Sequence, residues 1–344
     1  MMKLRILAST SIAIGMLLSI AVQAQATDDN RSTRATLERV TKHAQGATTK
    51  VLSNVAPIPT TDGGAQAIDG TANGVRVKVP TSAIDAISLE SSTGKSVRVK
   101  LPYASNAKKA KVIEQGIVSF DNQNASKTVP VVKDDGSVQV TTVISGATAP
   151  ARYTYELAVP DGGKVSQIDG GVVVVLDAAG GFVGGIAPAW AKDANGNDVP
   201  TRYEISGNTL TQVVDHLAAS TAYPVVADPW FGIDLWGETW YNRRGWEHED
   251  WTVSMLFSGW GWTVYSASGG DIVMLTAGWS EIATKRPLVT SKPSLKHQYD
   301  CHATFGRAWW WAGFHWDLER WRSNYPGWLA TLAATGAIGT SRAR

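Results

Sequence analysis

One cysteine, Cys301, stands among 344 residues, so the chain cannot close a disulfide on itself. Its stability must come from buried apolar area and backbone pairing. A lone cysteine in an exported chain is either a small buried hydrophobe or a reactive thiol. Neither charge sign dominates: 32 Lys and Arg against 30 Asp and Glu leave a net charge of +2. That balance argues against a dedicated nucleic-acid binder, which carries a basic surplus or stripe. Beyond the N-terminal leader no run approaches the roughly 20 apolar residues of a spanning helix. Gly-x-Ser-x-Gly, phosphate-loop, dinucleotide and His-Glu-x-x-His patterns are missing in any suitable context. Their absence lowers the common hydrolase, NTPase, dehydrogenase and zinc-protease readings, and no cofactor is expected.

Apolar residues do run together at the start. Lys3 and Arg5 form a short basic region, Ile6 to Val22 is apolar with small interruptions, and Ala24-Gln-Ala26 fits a cleavage site. This reads as a secretory signal peptide over 1–26. No cysteine follows it for lipid attachment, and a secreted, extracellular chain without a membrane span is predicted. Residues 27–70 are polar, then rich in Ala, Thr, Gly and Pro. They read as a flexible spacer with one short helix carrying Leu37 and Val40.

Over 71–228 the pattern becomes period-two. Val75, Val77 and Val79 alternate with Arg76 and Lys78, and Val97, Val99 and Leu101 repeat the figure. Turn clusters such as STGK, DDGS, PDGG, AAGG and NGND separate these runs. Short alternating strands between such turns predict an antiparallel β-sandwich. The closing stretch TAYPVVADPW (Thr221–Trp230) follows Val214-Asp215-His216. It resembles the β-domains of secreted actinobacterial and Rhs-like cell-surface proteins, which implies an extracellular β-rich module.

Composition then shifts. Fourteen of the fifteen tryptophans lie from Trp230 onward, with four of the six histidines and Cys301. A boundary at Asp228-Pro229 opens a Trp-rich β or α+β domain over 229–330, ending in a tail at 331–344. WTVSMLF, GWTVYSA and DIVMLTAGW read as strands, or as a short helix with strands. Gln298-Tyr-Asp-Cys-His302, followed by Trp316-Asp-Leu-Glu-Arg-Trp-Arg322, resembles the C-terminal family DUF2599, a domain of unknown function in secreted bacterial proteins. The family carries Pro after the box's Arg; this chain has Ser323 there and its Pro at Pro326. The resemblance implies no chemistry.

Candidate residues gather in RAWWWAGFHWDLERWR, Arg307–Arg322. As a strand it places His315, Asp317 and Glu319 on one face and Phe314, Trp316 and Leu318 on the other. A carboxylate beside a histidine fixes its tautomer, yet alternating charge is also the ordinary outer face of a strand. Trp309, Trp310, Trp311 and Trp321 are candidate ligand contacts, because indole offers a flat apolar face with a polar N–H; most other tryptophans are expected in the core. Cys301 and His302 are candidate catalytic groups, although neighbours on a strand face apart. Glu247-His248-Glu249-Asp250 reads as a solvated charge run. Asp193, Asn195, Asn197 and Glu204 occupy positions 1, 3, 5 and 12 of a calcium loop, but position 6 is Asp198 instead of Gly. A hairpin turn explains the same residues.

Two function classes follow: a non-enzymatic binding protein contacting an extracellular glycan or cell-surface protein, and a small effector or hydrolase using Cys301, His302, His315, Asp317 and Glu319.

Overall fold

The structure, a computed structural model, describes residues 31–42, 49–243, 251–308 and 315–324. The period-two runs do form strands. They are β1 (Gln66–Ala72), β2 (Val75–Pro80), β3 (Ile87–Ser91), β4 (Ser96–Lys100), β5 (Lys111–Glu114), β6 (Ile117–Asp121), β7 (Ser126–Val132), β8 (Val138–Ile144), β9 (Arg152–Ala158) and β10 (Lys164–Gln167). They continue as β11 (Val173–Leu176), β12 (Phe182–Ile186), β13 (Ala191–Lys192), β14 (Thr201–Ser206), β15 (Thr209–Val214), β16 (Val225–Ala227) and β17 (Trp230–Gly232). One sheet runs β1-β2-β3-β4-β9-β15-β14, and a ten-stranded sheet runs β10-β11-β12-β17-β8-β7-β6-β5 with β13 and β16 beside it. Every pairing is antiparallel, as short turns between consecutive strands require. Val75, Val77, Val79, Val97 and Val99 from the first sheet meet Phe120, Val138, Val140 and Phe231 from the second in one core. Each such buried side chain contributes about 1.5–3 kcal/mol. The mainly-β sandwich is therefore as predicted.

Residues 27–70 are not a spacer where they are described. A helix, α1 (31–42), forms, and its Leu37 and Val40 are buried with Val51 against Ile117, Val129, Val131 and Val226. This second core lies on the outer face of the large sheet, on the far side of those strands from the sandwich interior. Lys133 fastens the chain after α1, donating from Nζ to the Ser53 carbonyl at 2.9 Å and to that of Val51. The expected short helix is present, and its sparse apolar stripe is covered by the large sheet.

The boundary at Asp228-Pro229 also falls inside the sandwich, because β17 pairs with both β8 and β12. The C-terminal module's own sheet begins at Trp236: β18 (Trp236–Arg243), β19 (Trp251–Phe257) and β20 (Trp316–Glu319), in that order. WTVSMLF is thus a strand. Of the two readings, strands or a short helix with strands, GWTVYSA and DIVMLTAGW take the helical one: α2 (Gly259–Ser266), α3 (Gly270–Val273), a π-turn over Met274–Gly278 and α4 (Trp279–Lys285). Ser258 caps α2 by accepting from the Gly261 N–H at 2.8 Å, and Asp135 of the sandwich accepts from the Trp260 N–H at 2.9 Å. Burial overrides the strand preference of Trp, Thr, Val and Tyr here. Gln298–His302 likewise lies on a helix, α5 (Pro293–Phe305), with Pro293 in its first turn.

The module rests on the outer face of β11, β12 and β17. A Cβ on Gly232 would sit 2.3 Å from the Trp260 ring, and one on Gly261 would sit 2.0 Å from the Leu235 carbonyl oxygen. Only glycine permits that approach. Trp236 is fully buried at the centre of the module, stacked on Phe257 at 4.6 Å and edge-on to Trp316 at 5.0 Å. Its indole N–H donates to the Gly278 carbonyl at 2.8 Å.

Four charges close the seam between sandwich and module. Glu281 accepts from Lys285 at 2.9 Å and Lys95 at 3.0 Å, and from the backbone N–H groups of Leu235 and Trp236. Asp234 accepts from Lys285 and from the Ser91 hydroxyl, each at 3.0 Å. Both carboxylates are essentially inaccessible to solvent, and such buried charge persists only when paired and hydrogen-bonded. Burial pulls Lys285 down, but Glu281 and Asp234 outweigh it and hold the ammonium above its ordinary range.

Candidate functional site

The three strands β18–β20 present one face to the module core and the other outward. Val253, Met255, Trp316 and Leu318 point inward and are buried. Residue alternation sends Ser254 and Asp317 the other way, and register aligns Trp240, Ser254 and Asp317 in one row across the sheet. Asn242, Thr252 and Glu319 form the next row.

Hydrogen bonds join these rows. The Asn242 amide donates to Ser254 Oγ at 2.8 Å, and the Ser254 hydroxyl donates to Asp317 Oδ1 at 2.6 Å. His315 Nε2 lies 3.3 Å from the same carboxylate oxygen, and its ring centroid is 5.4 Å from that of Trp240. Asn242 and His315 are exposed, Trp240 and Asp317 are half-buried, and Ser254 is buried. The result is a ridge of two rings flanked by an amide and a carboxylate.

Sequence placed His315, Asp317 and Glu319 on one strand face. His315 and Asp317 do meet. Glu319 is drawn aside into a pair with Arg322 Nε, while its backbone N–H and C=O both bond the Gln298 side chain. Trp240, Asn242 and Ser254 escaped sequence reasoning, because their approach depends on register between strands distant in sequence.

The geometry does not assemble a nucleophile. Ser254 donates to Asp317, so the carboxylate sits between serine and histidine, whereas a Ser-His-Asp triad has the imidazole there. Cys301 is half-buried on α5, and burial pushes its thiol above the ordinary range, away from the reactive thiolate. His302 lies over the Trp316 ring at 5.2 Å, and Nε2 is 3.4 Å from the Asp317 carbonyl oxygen. Burial pulls its imidazolium below the ordinary range. It serves as a packed ring at the sheet's inner side.

The remaining candidates divide. Trp309, Trp310 and Trp311, and Glu247–Asp250, lie outside the described residues. Trp321 is half-buried just after β20. Trp190, Trp230, Trp236, Trp251, Trp260 and Trp316 are core. Asp193 closes a turn, with Oδ1 accepting from the N–H groups of Asn195 and Asn197, each at 2.9 Å. Its Oδ2 accepts from the Asn197 amide at 3.2 Å and from the Ala222 N–H at 3.4 Å. Glu204 is held by Arg152 at 2.6 Å and Arg202 at 3.1 Å. These carboxylates are occupied by N–H donors, and Gly196 takes the positive φ of a hairpin turn. Among the described residues no group of three or more His, Cys, Asp or Glu side chains is placed to hold a metal ion, and no helix is long and apolar enough to cross a membrane.

No protein-family model, curated protein or solved structure matches this chain.

Proposed function

We propose that this is an exported, extracellular protein that binds instead of catalysing, and that the outward face of β18–β20 contacts a glycan of a cell wall or cell surface. The observation that carries the reading is the Trp240–His315 ring pair beside the Asn242 amide and the Asp317 carboxylate. Indole and imidazole faces pack against sugar C–H groups, while amide and carboxylate take hydroxyls. The signal-peptide pattern supports the location, and the likeness to DUF2599 belongs to the same reading. The contact residues are then Trp240, Asn242, His315 and Asp317, continuing toward Trp321, with Trp309–Trp311 adjoining in sequence. A protein partner is the alternative occupant of the same face.

Cosedimentation of the full mature chain with insoluble cell-wall polymer tests this. The wild type should pellet saturably with the polymer, and Trp240→Ala should weaken that binding about tenfold, the loss of one good aromatic contact. Equal pelleting of a folded Trp240→Ala variant rules the face out.

A further inference from the structure

A cleft separates the sandwich from the helices of the C-terminal module, and it shares no residue with the β18–β20 face. Its volume is about 750 Å³, within the range of small-molecule sites, which favour junctions between structural units. Leu176 and Phe182 form one wall; Ile272 and Ala277 face them from α3 and the π-turn. Ile272 stands 64% exposed at the lip, where its side chain can meet an apolar ligand. The π-turn, a rare local winding that recurs at functional sites, brings Thr276 and Ala277 into the wall.

Charge selects the ligand. Lys95 and Glu281 lie at the base, but each is consumed: Lys95 by Glu281 and Asp234, Glu281 by two lysines and two backbone N–H groups. The base is therefore neutral as a unit. The other charged lining residues are Asp169 and Asp177. Asp169 sits on the turn before β11 and Asp177 on the turn after it, so they lie toward opposite ends of a strand that spans about 13 Å. Asp177 Oδ1 closes its own turn, accepting from Ala179 at 2.9 Å and Gly181 at 2.7 Å, which leaves Oδ2 for a ligand. An apolar channel with a carboxylate toward each end complements a molecule with an apolar middle and a cation at each end.

We propose that this cleft binds an elongated aliphatic diamine, its methylene chain between Phe182 and Ile272 and an ammonium group at each of Asp169 and Asp177. Binding is electrostatic at the ends and apolar between them, so it weakens with salt but keeps a chain-length preference.

Calorimetric titration of the full chain with octane-diamine and decane-diamine is the test, with octylamine and octanedioate as controls. Both amines with two charged ends should bind saturably. Octylamine, which lacks one ammonium, should bind about tenfold more weakly, and octanedioate should not bind. Asp169→Asn and Asp177→Asn should each weaken diamine binding about tenfold; asparagine keeps the Oδ1 acceptor that the Asp177 turn needs. Thr276→Trp should abolish binding by filling the cleft, with circular dichroism checking its fold. Octanedioate or octylamine binding as tightly as the diamine would overturn the proposal. So would diamine binding unchanged in the double Asn variant, or no saturable heat with either diamine.

Discussion

Ser254 Oγ donates to Asp317 Oδ1 at 2.6 Å across the β19–β20 pair. The contact ties the strand that follows the tryptophan cluster to the centre of the small sheet. The serine hydroxyl is also fully buried and pairs with the carboxylate, not with the imidazole a Ser-His-Asp triad requires. A fluorophosphonate probe should therefore leave Ser254 unlabelled. Asp317→Ala should destabilise the fold by about 1–3 kcal/mol in urea unfolding, because the buried hydroxyl loses its acceptor. Asp317→Asn retains an acceptor and should recover most of that stability. Labelling of Ser254, or equal stability of the two variants, contradicts this assignment.

Asp228 gives the sandwich a pH dependence. It is fully buried, with Oδ1 accepting from the Trp190 N–H at 3.0 Å and the Gln212 amide at 3.3 Å, while Oδ2 has no partner. Burial pushes the carboxyl well above its ordinary 3.8. The folded chain thus holds a proton that the unfolded chain has lost, so this group's contribution is full below pH 3.8 and declines as pH rises toward the folded value. Asp228→Asn should remove that decline. Urea unfolding from pH 4 to pH 8 should show a gain for the variant that grows with pH; a gain confined to acid would reverse the sign.

The charge tetrad should respond unequally to single and paired substitutions. Glu281→Ala leaves Lys95 and Lys285 with Asp234 as their remaining carboxylate and strands two backbone N–H groups. A cost of about 3–5 kcal/mol is expected. Replacing Glu281 and Lys285 together by apolar residues should cost less than the sum of the single changes. Additive losses in a double-mutant cycle would show that the pairs act independently.

Tryptophans in one module should divide sharply by position. Trp236→Ala removes a fully buried ring with three aromatic neighbours and a hydrogen bond, and should cost about 3–5 kcal/mol. Trp240→Ala, at the half-buried outer face, should cost about 1 kcal/mol or less. Comparable losses for the two would place Trp240 in the core and remove it from any contact surface.

Much of the sandwich was readable because its signal is local. Val75, Val77 and Val79 alternate over a few residues, and DDGS holds Gly136 at a φ of 80° where a turn needs it. The α1 helix was legible in Leu37 and Val40 but its docking was not, since Leu37, Val40 and Val51 are too few to announce a core until a sheet face is present to bury them. In the C-terminal module strand and helix readings both stayed open, because Trp, Val, Thr and Tyr favour strands. For α5 the signal was there: Pro293 at the start and Leu295, Tyr299 and Ala303 at four-residue spacing, all buried. Of the outer face, only His315 and Asp317 could be paired from sequence, being two apart on one strand. Trp240, Asn242 and Ser254 join them through β18–β19–β20 register, and Lys95 meets Glu281 across 186 positions. No periodicity reports contacts of that range.

The most direct measurement for the contact face is the solution NMR signal of the Trp240 indole N–H, assigned by its loss in Trp240→Phe, during titration with a soluble cell-wall oligosaccharide. The account predicts a saturable shift of that signal together with the His315 ring protons, while the Trp236 indole N–H, bonded to Gly278 in the core, stays in place. A shift confined to other indole signals, or none for Trp240 and His315, would contradict it.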